Sequence, residues 1–246
     1  MTLTRAQVLG LIETHHLKPG RALGQNFVAD PNTVRRIARL AEVGPRDRVL
    51  EIGAGLGSLT LALAETGACI TAVEKDRWLI PVLEQVLARR APGSAVRVVA
   101  ADAMRTDWDV LLAPSLGWVV VANLPYNIAT PLIAQLLDNV PAIGRMLVLV
   151  QEEVALRLVA SPGDAAYGAV SVKIAYWAEA GLAGSVPPSV FVPRPKVGSA
   201  LVRIQRRLTP ALDPAAVPAD LLFGLVRAGF ATRRKMLRGA LADFVP

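Results

Sequence analysis

Histidine and cysteine are almost missing from this chain of 246 residues. The two histidines, His15 and His16, are adjacent near the start, and Cys69 is the single cysteine. One thiol forms no internal disulfide. With no Cys/His cluster there is no ligand set for zinc, so no metal is expected and a zinc-dependent nucleobase deaminase is excluded. No Gly-Lys-Ser/Thr segment occurs, which disfavours ATP hydrolysis by the usual phosphate loop. Aromatics make up only 5% against 53% hydrophobic residues. Leu, Val and Ala therefore carry the apolar mass, as suits a packed α/β protein. No uncharged apolar run is long enough to cross a bilayer, and Met1-Thr2-Leu3-Thr4-Arg5 does not open a secretory signal. A cytoplasmic location with no membrane partner is expected. There is no internal repeat.

Charge is present but uneven. The formal net charge is +7, and residues 190–246 hold ten Lys or Arg against three Asp, so the first 189 residues sum to zero. A basic end on a neutral domain suggests a polyanion footprint; a merely solvated surface is the plain alternative.

Residues 3–18 read as a short helix. Asp30-Pro31 reads as a cap followed by proline at the first position of a helix through about Leu40. Strands are expected at 48–52, 69–74, 96–101, 118–122, 146–150, 171–177 and 200–204, with helices starting near Ser58, Arg77 and Thr130. This is the rhythm of a mostly parallel sheet covered on both faces. Residues 181–198, rich in Pro, read as an ordered loop crossing the sheet, and 209–218 as a linker. One or two helices follow at 221–242, an appendage too small to fold alone.

Two segments carry chemistry. In Glu51-Ile52-Gly53-Ala54-Gly55-Leu56-Gly57, alternating glycines follow a strand and precede a helix. They allow a tight turn and close approach of a ligand to the backbone. Glu74 ends the next strand, where a carboxylate accepts hydrogen bonds from both hydroxyls of a ribose. These features suit a nucleotide cofactor, NAD included. Asp102 follows the third strand; it can accept from an adenine amino group or cap a helix.

The second segment, Asn123-Leu124-Pro125-Tyr126, sits where a central strand ends. The Asn123 amide oxygen and the Leu124 carbonyl can accept the two hydrogens of an exocyclic amine and aim its lone pair at an electrophile. Such positioning lowers a barrier without a general base. Pro125 stiffens the turn. Tyr126 offers a face for an extruded base, a contact worth about 1–3 kcal/mol. Phe191 can clamp the other face; otherwise both rings are ordinary core aromatics. The two segments together suggest group transfer to the amino group of a base.

With these residues and Gly24-Gln25-Asn26-Phe27, Gln151-Glu152-Glu153-Val154, Tyr167-Gly168, the segment 191–199 and Phe230-Ala231-Thr232-Arg233-Arg234-Lys235, the chain resembles the ribosomal RNA adenine dimethyltransferases over about residues 18–240. It is nearest to the branch that acts on two adjacent adenosines near the 3′ end of small-subunit RNA. The resemblance implies a Rossmann-like, seven-stranded class I methyltransferase fold over residues 1–207, with helices on both faces, and a short helical RNA-binding lobe over 208–246. It implies S-adenosylmethionine as cofactor and N6,N6-dimethyladenosine as product. Gln25, Asn26 and Phe27 would close over the cofactor. Gly53 and Gly55 would line its methionine portion, Glu74 would bind the ribose and Asp102 the adenine amino group, with Ala54, Lys75, Ala103 and Asn123 also among the cofactor-binding residues. Asn123, Leu124, Pro125, Tyr126 and Phe191 would present the adenosine. Arg194, Lys196, Arg233, Arg234, Lys235 and Arg238 would grip RNA backbone. The implied partner is small-subunit RNA in a late 30S-type assembly intermediate, the protein being a monomer away from it.

Three departures stand out: Glu152 where the family usually has Lys, Lys75 where an apolar residue is usual, and a short C-terminal lobe. Lys75 has acids near it with which to pair. The competing readings are a macrolide-resistance type methyltransferase of large-subunit RNA, an assembly factor without catalysis, and an NAD oxidoreductase. The Gly24 start and segment 191–199 favour the small-subunit branch.

Overall fold

The computed structural model describes residues 1–20, 24–112, 116–231 and 236–242. Its helices are α1 (Arg5–Thr14), α2 (Pro31–Leu40), α3 (Ser58–Ala64), α4 (Ile80–Arg90), α5 (Trp108–Leu112), α6 (Ala129–Asn139), α7 (Glu152–Val159), α8 (Ala169–Trp177), α9 (Ala219–Ala231) and α10 (Leu237–Ala240). Its strands are β1 (Phe27–Val28), β2 (Arg48–Ile52), β3 (Cys69–Glu74), β4 (Val96–Ala100), β5 (Trp118–Asn123), β6 (Ile143–Gln151), β7 (Ala178–Val186), β8 (Phe191–Val192) and β9 (Ser199–Arg206).

Seven strands form one sheet in the order β4-β3-β2-β5-β6-β9-β7. The first five are parallel, and β9 and β7 are antiparallel to their neighbours. Period-two alternation divides the core. Val119 and Val121 of β5 face one cluster with Val34 and Ile37 of α2 and Leu61 of α3. Val120 and Ala122 face the other, with Leu112 of α5 and Leu132 and Ile133 of α6. Each such fully buried Val or Leu is worth about 1.5–3 kcal/mol. Both faces are covered, which is why β5 has no polar residue before Asn123.

The chain order reverses between β2 and β5, which pair through Val49↔Val119 and Leu50↔Val120. In open α/β sheets a ligand crevice opens at such a switch point, beyond the carboxyl ends of the strands. The glycine segment after β2 and the Asn123 turn after β5 therefore emerge side by side. The Asp30 carboxylate accepts from Thr33 N at 2.8 Å and caps α2, with Pro31 at its first position, as the sequence indicates.

Some expectations need correction. Residues 171–177 are not a strand but most of α8. Val172, Ile174 and Tyr176 alternate as in a strand, yet the Ser171 hydroxyl caps the helix by accepting from Gly168 N at 3.1 Å and donates to Arg157 O at 2.6 Å. The sixth parallel-looking run is replaced by β7, drawn from Ala-Glu-Ala-Gly-Leu-Ala-Gly-Ser-Val. Its propensity is poor, but pairing along β9 supplies the ladder, with a register shift between Leu182 and Gly184. Residues 181–198 are thus half strand rather than a loop throughout. The helix expected near Arg77 begins at Ile80, because the Asp76 carbonyl and carboxylate hold 76–79 in a turn. A short antiparallel pair, β1 with β8, joins the N-terminal segment to the loop before β9.

Candidate active site

Most of the residues that the sequence singles out meet in one cleft of about 350 Å³ at the switch point. Gln25, Asn26, Phe27, Gly53, Gly55, Glu74, Lys75, Asp102, Ala103, Asn123 and Pro125 all line it. Ile52, Val73, Asp76, Leu79, Met104 and Asn127 line it too, and sequence reasoning missed them. Ile52 and Val73 had a signal, since each is the last residue before a singled-out one at a strand end.

Gly55 lies at φ +58°, and a Cβ there would sit 3.0 Å from the Phe27 ring. The glycine loop can therefore lie flat under the N-terminal segment only without a side chain. The same segment is pinned at Gly24, at φ +63°, where a Cβ would meet Asn127 Oδ1 at 2.8 Å and Tyr126 N at 3.1 Å. Gln25 braces it by accepting from Gly20 N at 2.8 Å and donating to Asp76 at 2.8 Å.

Glu74, 7% exposed, accepts from Gly55 N at 2.8 Å and from Lys75 N and Asp76 N at 2.9 Å each. Burial pushes its carboxyl above the ordinary range, against the lowering effect of those N–H groups. Oε2 has accepted one bond and has a lone pair left for a ribose hydroxyl. Asp102 does not cap a helix. It forms a turn, accepting from Met104 N at 3.0 Å, and its other oxygen pairs with Lys75 Nζ at 2.8 Å. Lys75 holds the Asp102 carboxyl below its ordinary range, and Met104 N adds to the effect. The unusual Lys75 thus finds its acid.

Glu51 lies beneath the glycine loop, 1% exposed, with no hydrogen-bond partner for Oε2. The Thr60 hydroxyl faces it without completing a bond of normal geometry. Burial, with repulsion from Glu74, pushes its carboxyl up to about 8. Ala54 faces this lower side, with Glu51 and Ser58, rather than the main cleft.

At the end of β5, Asn123 Nδ2 donates to Asn26 O at 2.8 Å, which fixes the amide's orientation. Its Oδ1 is buried and has no partner. Leu124 N donates to Leu149 O at 3.1 Å, and Pro125 O accepts from Ile128 N and Ala129 N at 3.1 Å each, so the turn runs directly into α6. Tyr126 lies beside the cleft, its hydroxyl 2.7 Å from Ser199 Oγ, and burial raises its phenol. The clamp role for Phe191 is not met here. Phe191 is 0% exposed, pairs with Val28 in the β1–β8 ladder and faces the core.

Of the cations assigned to RNA, Arg194, Lys196 and Arg238 are exposed. Arg233, Arg234 and Lys235 lie outside the described residues. Glu152 packs over Gly198, its Oε2 3.0 Å from where a Cβ would stand. Among the described residues no cluster of His, Cys, Asp and Glu can hold a metal, and no helix is long and apolar enough to cross a membrane.

A doubly covered sheet, a glycine turn after its first parallel strand, an acid ending the next and an Asn-Leu-Pro-Tyr turn at the switch point define a class I methyltransferase. Its cofactor is S-adenosylmethionine, and the residues fit that group: a Cβ-free glycine floor and the carboxylates of Glu74, Asp76 and Asp102 lining the cleft. The model of the ribosomal RNA adenine dimethylase family matches residues 17–246, and the chain belongs to that family. Ribosomal RNA small subunit methyltransferase A of Cutibacterium acnes is 49% identical over 245 residues, covering 98% of this chain and 81% of that one. Its counterpart in Thermobifida fusca is 47% identical over 244 residues, covering 98% and 83%. The crystal structure of a dimethyladenosine transferase from Plasmodium falciparum matches with a TM-score of 0.72 at 26% identity, over 86% of this chain and 73% of that one. The 23S rRNA methyltransferase ErmE matches at 0.69 and 28%, over 89% and 85%.

Proposed function

We propose that this chain methylates N6 of two adjacent adenosines near the 3′ end of small-subunit ribosomal RNA, twice at each, giving N6,N6-dimethyladenosine. Its particle is a late assembly intermediate of the small subunit. The observation that carries the mechanism is the buried, unpartnered Oδ1 of Asn123 on an amide already locked by Asn26 O. A buried acceptor without a partner is costly, and an incoming amine N–H relieves that cost. Bound S-adenosylmethionine supplies an electrophilic methyl group on a sulfonium. Asn123 Oδ1 and the Leu124 carbonyl would accept the two amine hydrogens and turn the lone pair out of the ring plane. Tyr126, braced by Ser199, would support the base, and Pro125 would keep the turn from yielding. As the N6–CH3 bond would form, the bond from that methyl to sulfur would break and leave a neutral thioether; N6 would then release one proton to solvent, and the first methylation would leave one hydrogen for a second pass.

Glu74 and Lys75 would meet the ribose, Asp102 and Ala103 the adenine, and Gly53 and Gly55 the methionine portion, under Gln25, Asn26 and Phe27. Arg194, Lys196 and Arg238, with Arg233, Arg234 and Lys235, would hold RNA phosphates; such contacts position rather than specify. Residues 208–246 belong to this reading as the RNA-gripping lobe.

The test is methyl incorporation from labelled cofactor into under-methylated small and large subunits, with the modified adenosines mapped by mass spectrometry. Label confined to large subunits would reassign the protein to the other branch, and none in either would leave an assembly factor. Asn123→Ala should retain cofactor binding, weakened by loss of the latch to Asn26, and lose most transfer.

A further inference from the structure

A second cleft, of about 860 Å³, opens beside the cofactor site and shares Gln25, Phe27, Lys75, Asp76 and Leu79 with it. Its floor and rim carry His15, His16, Lys18, Arg77 and Trp78. Trp78 is 68% exposed, an unusual state for the largest apolar side chain. The Arg77 guanidinium lies over its ring, 5.0 Å from the centre, so a cation and an exposed aromatic stand together on this wall.

His16 adds an independent observation. It ends α1 at φ +50°, with His16 N donating to Glu13 O at 3.1 Å and Leu17 N to Ile12 O at 2.9 Å. This is the left-handed helix stop that glycine normally fills; a side chain there is uncommon, although histidine adopts it more readily than most residues. The stop leaves the His16 imidazole exposed on the rim of the cleft. The one acid on this wall, Asp76, is already engaged by Gln25 Nε2 and Trp78 N. Lys75 is paired with Asp102, whereas Lys18 and Arg77 are exposed. The first 189 residues carry no net charge, so the basic wall of this cleft does not follow from the overall charge of the domain.

We propose that this cleft is a second RNA contact, in which a single-stranded stretch of the substrate stacks a base on Trp78 and sets its phosphates against Arg77 and Lys18. Basic side chains interleaved with an exposed aromatic are what single strands bind, because every base has a face to stack. The proposal rests on the reading that the substrate is RNA. It places a contact on the far side of the cofactor site from the C-terminal lobe, so that the strand is held on both flanks of the target adenosine.

Trp78 also provides the readout: of the four tryptophans it is the exposed one, Trp108 and Trp118 being buried and Trp177 half-buried with its Nε1 donating to Asp138. Titrating the full chain with short single-stranded oligoadenylate at low salt should quench tryptophan emission, and Trp78→Phe should remove most of the quench while retaining much of the affinity. Trp78→Ala should weaken binding about 5- to 150-fold, the range for one lost stacking contact. Arg77→Ala and Lys18→Ala should each flatten the dependence of log affinity on log salt by about 0.7. Cofactor affinity should stay at the wild-type value in all four. An equal quench in Trp78→Phe, or unchanged affinity in Trp78→Ala, would overturn the proposal, as would a loss of cofactor affinity in Trp78→Phe. Methyl transfer by the wild-type chain is scored separately, so failure of the RNA-methylation reading is distinguishable from failure of this contact.

Discussion

Replacing Glu51 by Gln should change how stability varies with pH. Glu51 is 1% exposed, has an orphaned Oε2 and lies near Glu74, and its carboxyl is pushed from 4.5 up to about 8. The folded chain therefore keeps Glu51 protonated over a range in which the unfolded chain ionises it. The stability that the neutral group contributes is fully present below pH 4.5 and is lost as pH rises through about 8. At about 1.4 kcal/mol per pH unit, the whole displacement corresponds to about 5 kcal/mol, of which roughly 3 kcal/mol is gone by neutrality. Gln cannot ionise, so the variant lacks this slope. Its amide packs differently from a carboxylic acid, but that cost does not vary with pH. The assay is urea unfolding of both proteins between about pH 5 and about pH 8, comparing the difference in unfolding free energy at each pH. Glu74 contributes to both curves and largely cancels. The wild type should lose ground against the variant steadily across the window. A difference that stays flat would mean that Glu51 is ionised in the fold, and the account of a neutral acid under the glycine loop would be wrong.

Other expectations follow from single contacts. Ser199→Ala removes the partner of the Tyr126 hydroxyl at 2.7 Å; a stability loss of about 1–2 kcal/mol is expected, with a lower kcat, unchanged cofactor affinity, and partial recovery in Ser199→Thr, all measurable by calorimetry and methyl transfer. Arg206 donates to the carbonyls of Leu136, Leu137, Val140 and Ile143 at 2.8–3.1 Å and so closes the C-terminus of α6. Arg206→Met should cost about 3 kcal/mol by chemical denaturation, and a loss below about 1 kcal/mol would show that water replaces it freely. Asn123→Asp should abolish transfer in a folded protein that still binds cofactor, and wild-type turnover in that variant would refute the amide's role.

The parallel half of the fold was legible because its strands are buried on both faces. Runs such as 118–122 and 146–150 have no polar residue, and Glu51, Glu74 and Asn123 mark where the strands leave the core. The antiparallel edge was not legible. β7 consists largely of Ala and Gly, and only its partner β9 makes it a strand. α8 imitates a strand through Val172, Ile174 and Tyr176, and a cap three residues long decides otherwise. Within the site, the glycines, acids and Asn123 announced themselves by spacing. The burial of Phe191 did not, because it depends on a two-residue ladder with Phe27 and Val28, distant in the chain. Nor did the lock on Asn123, whose partner stands 97 residues earlier.

That lock explains why an amide, and not the isosteric acid, ends β5. A carboxylate would turn one oxygen toward the carbonyl of Asn26, two acceptors facing each other out of water. The residue at the end of β5 is thus selected partly by a peptide group from the N-terminal strap. Neither partner is free to drift alone: a change that displaces the strap also unlatches the amide, so a mutation near Asn26 would surface as a catalytic defect in an intact Asn-Leu-Pro-Tyr turn.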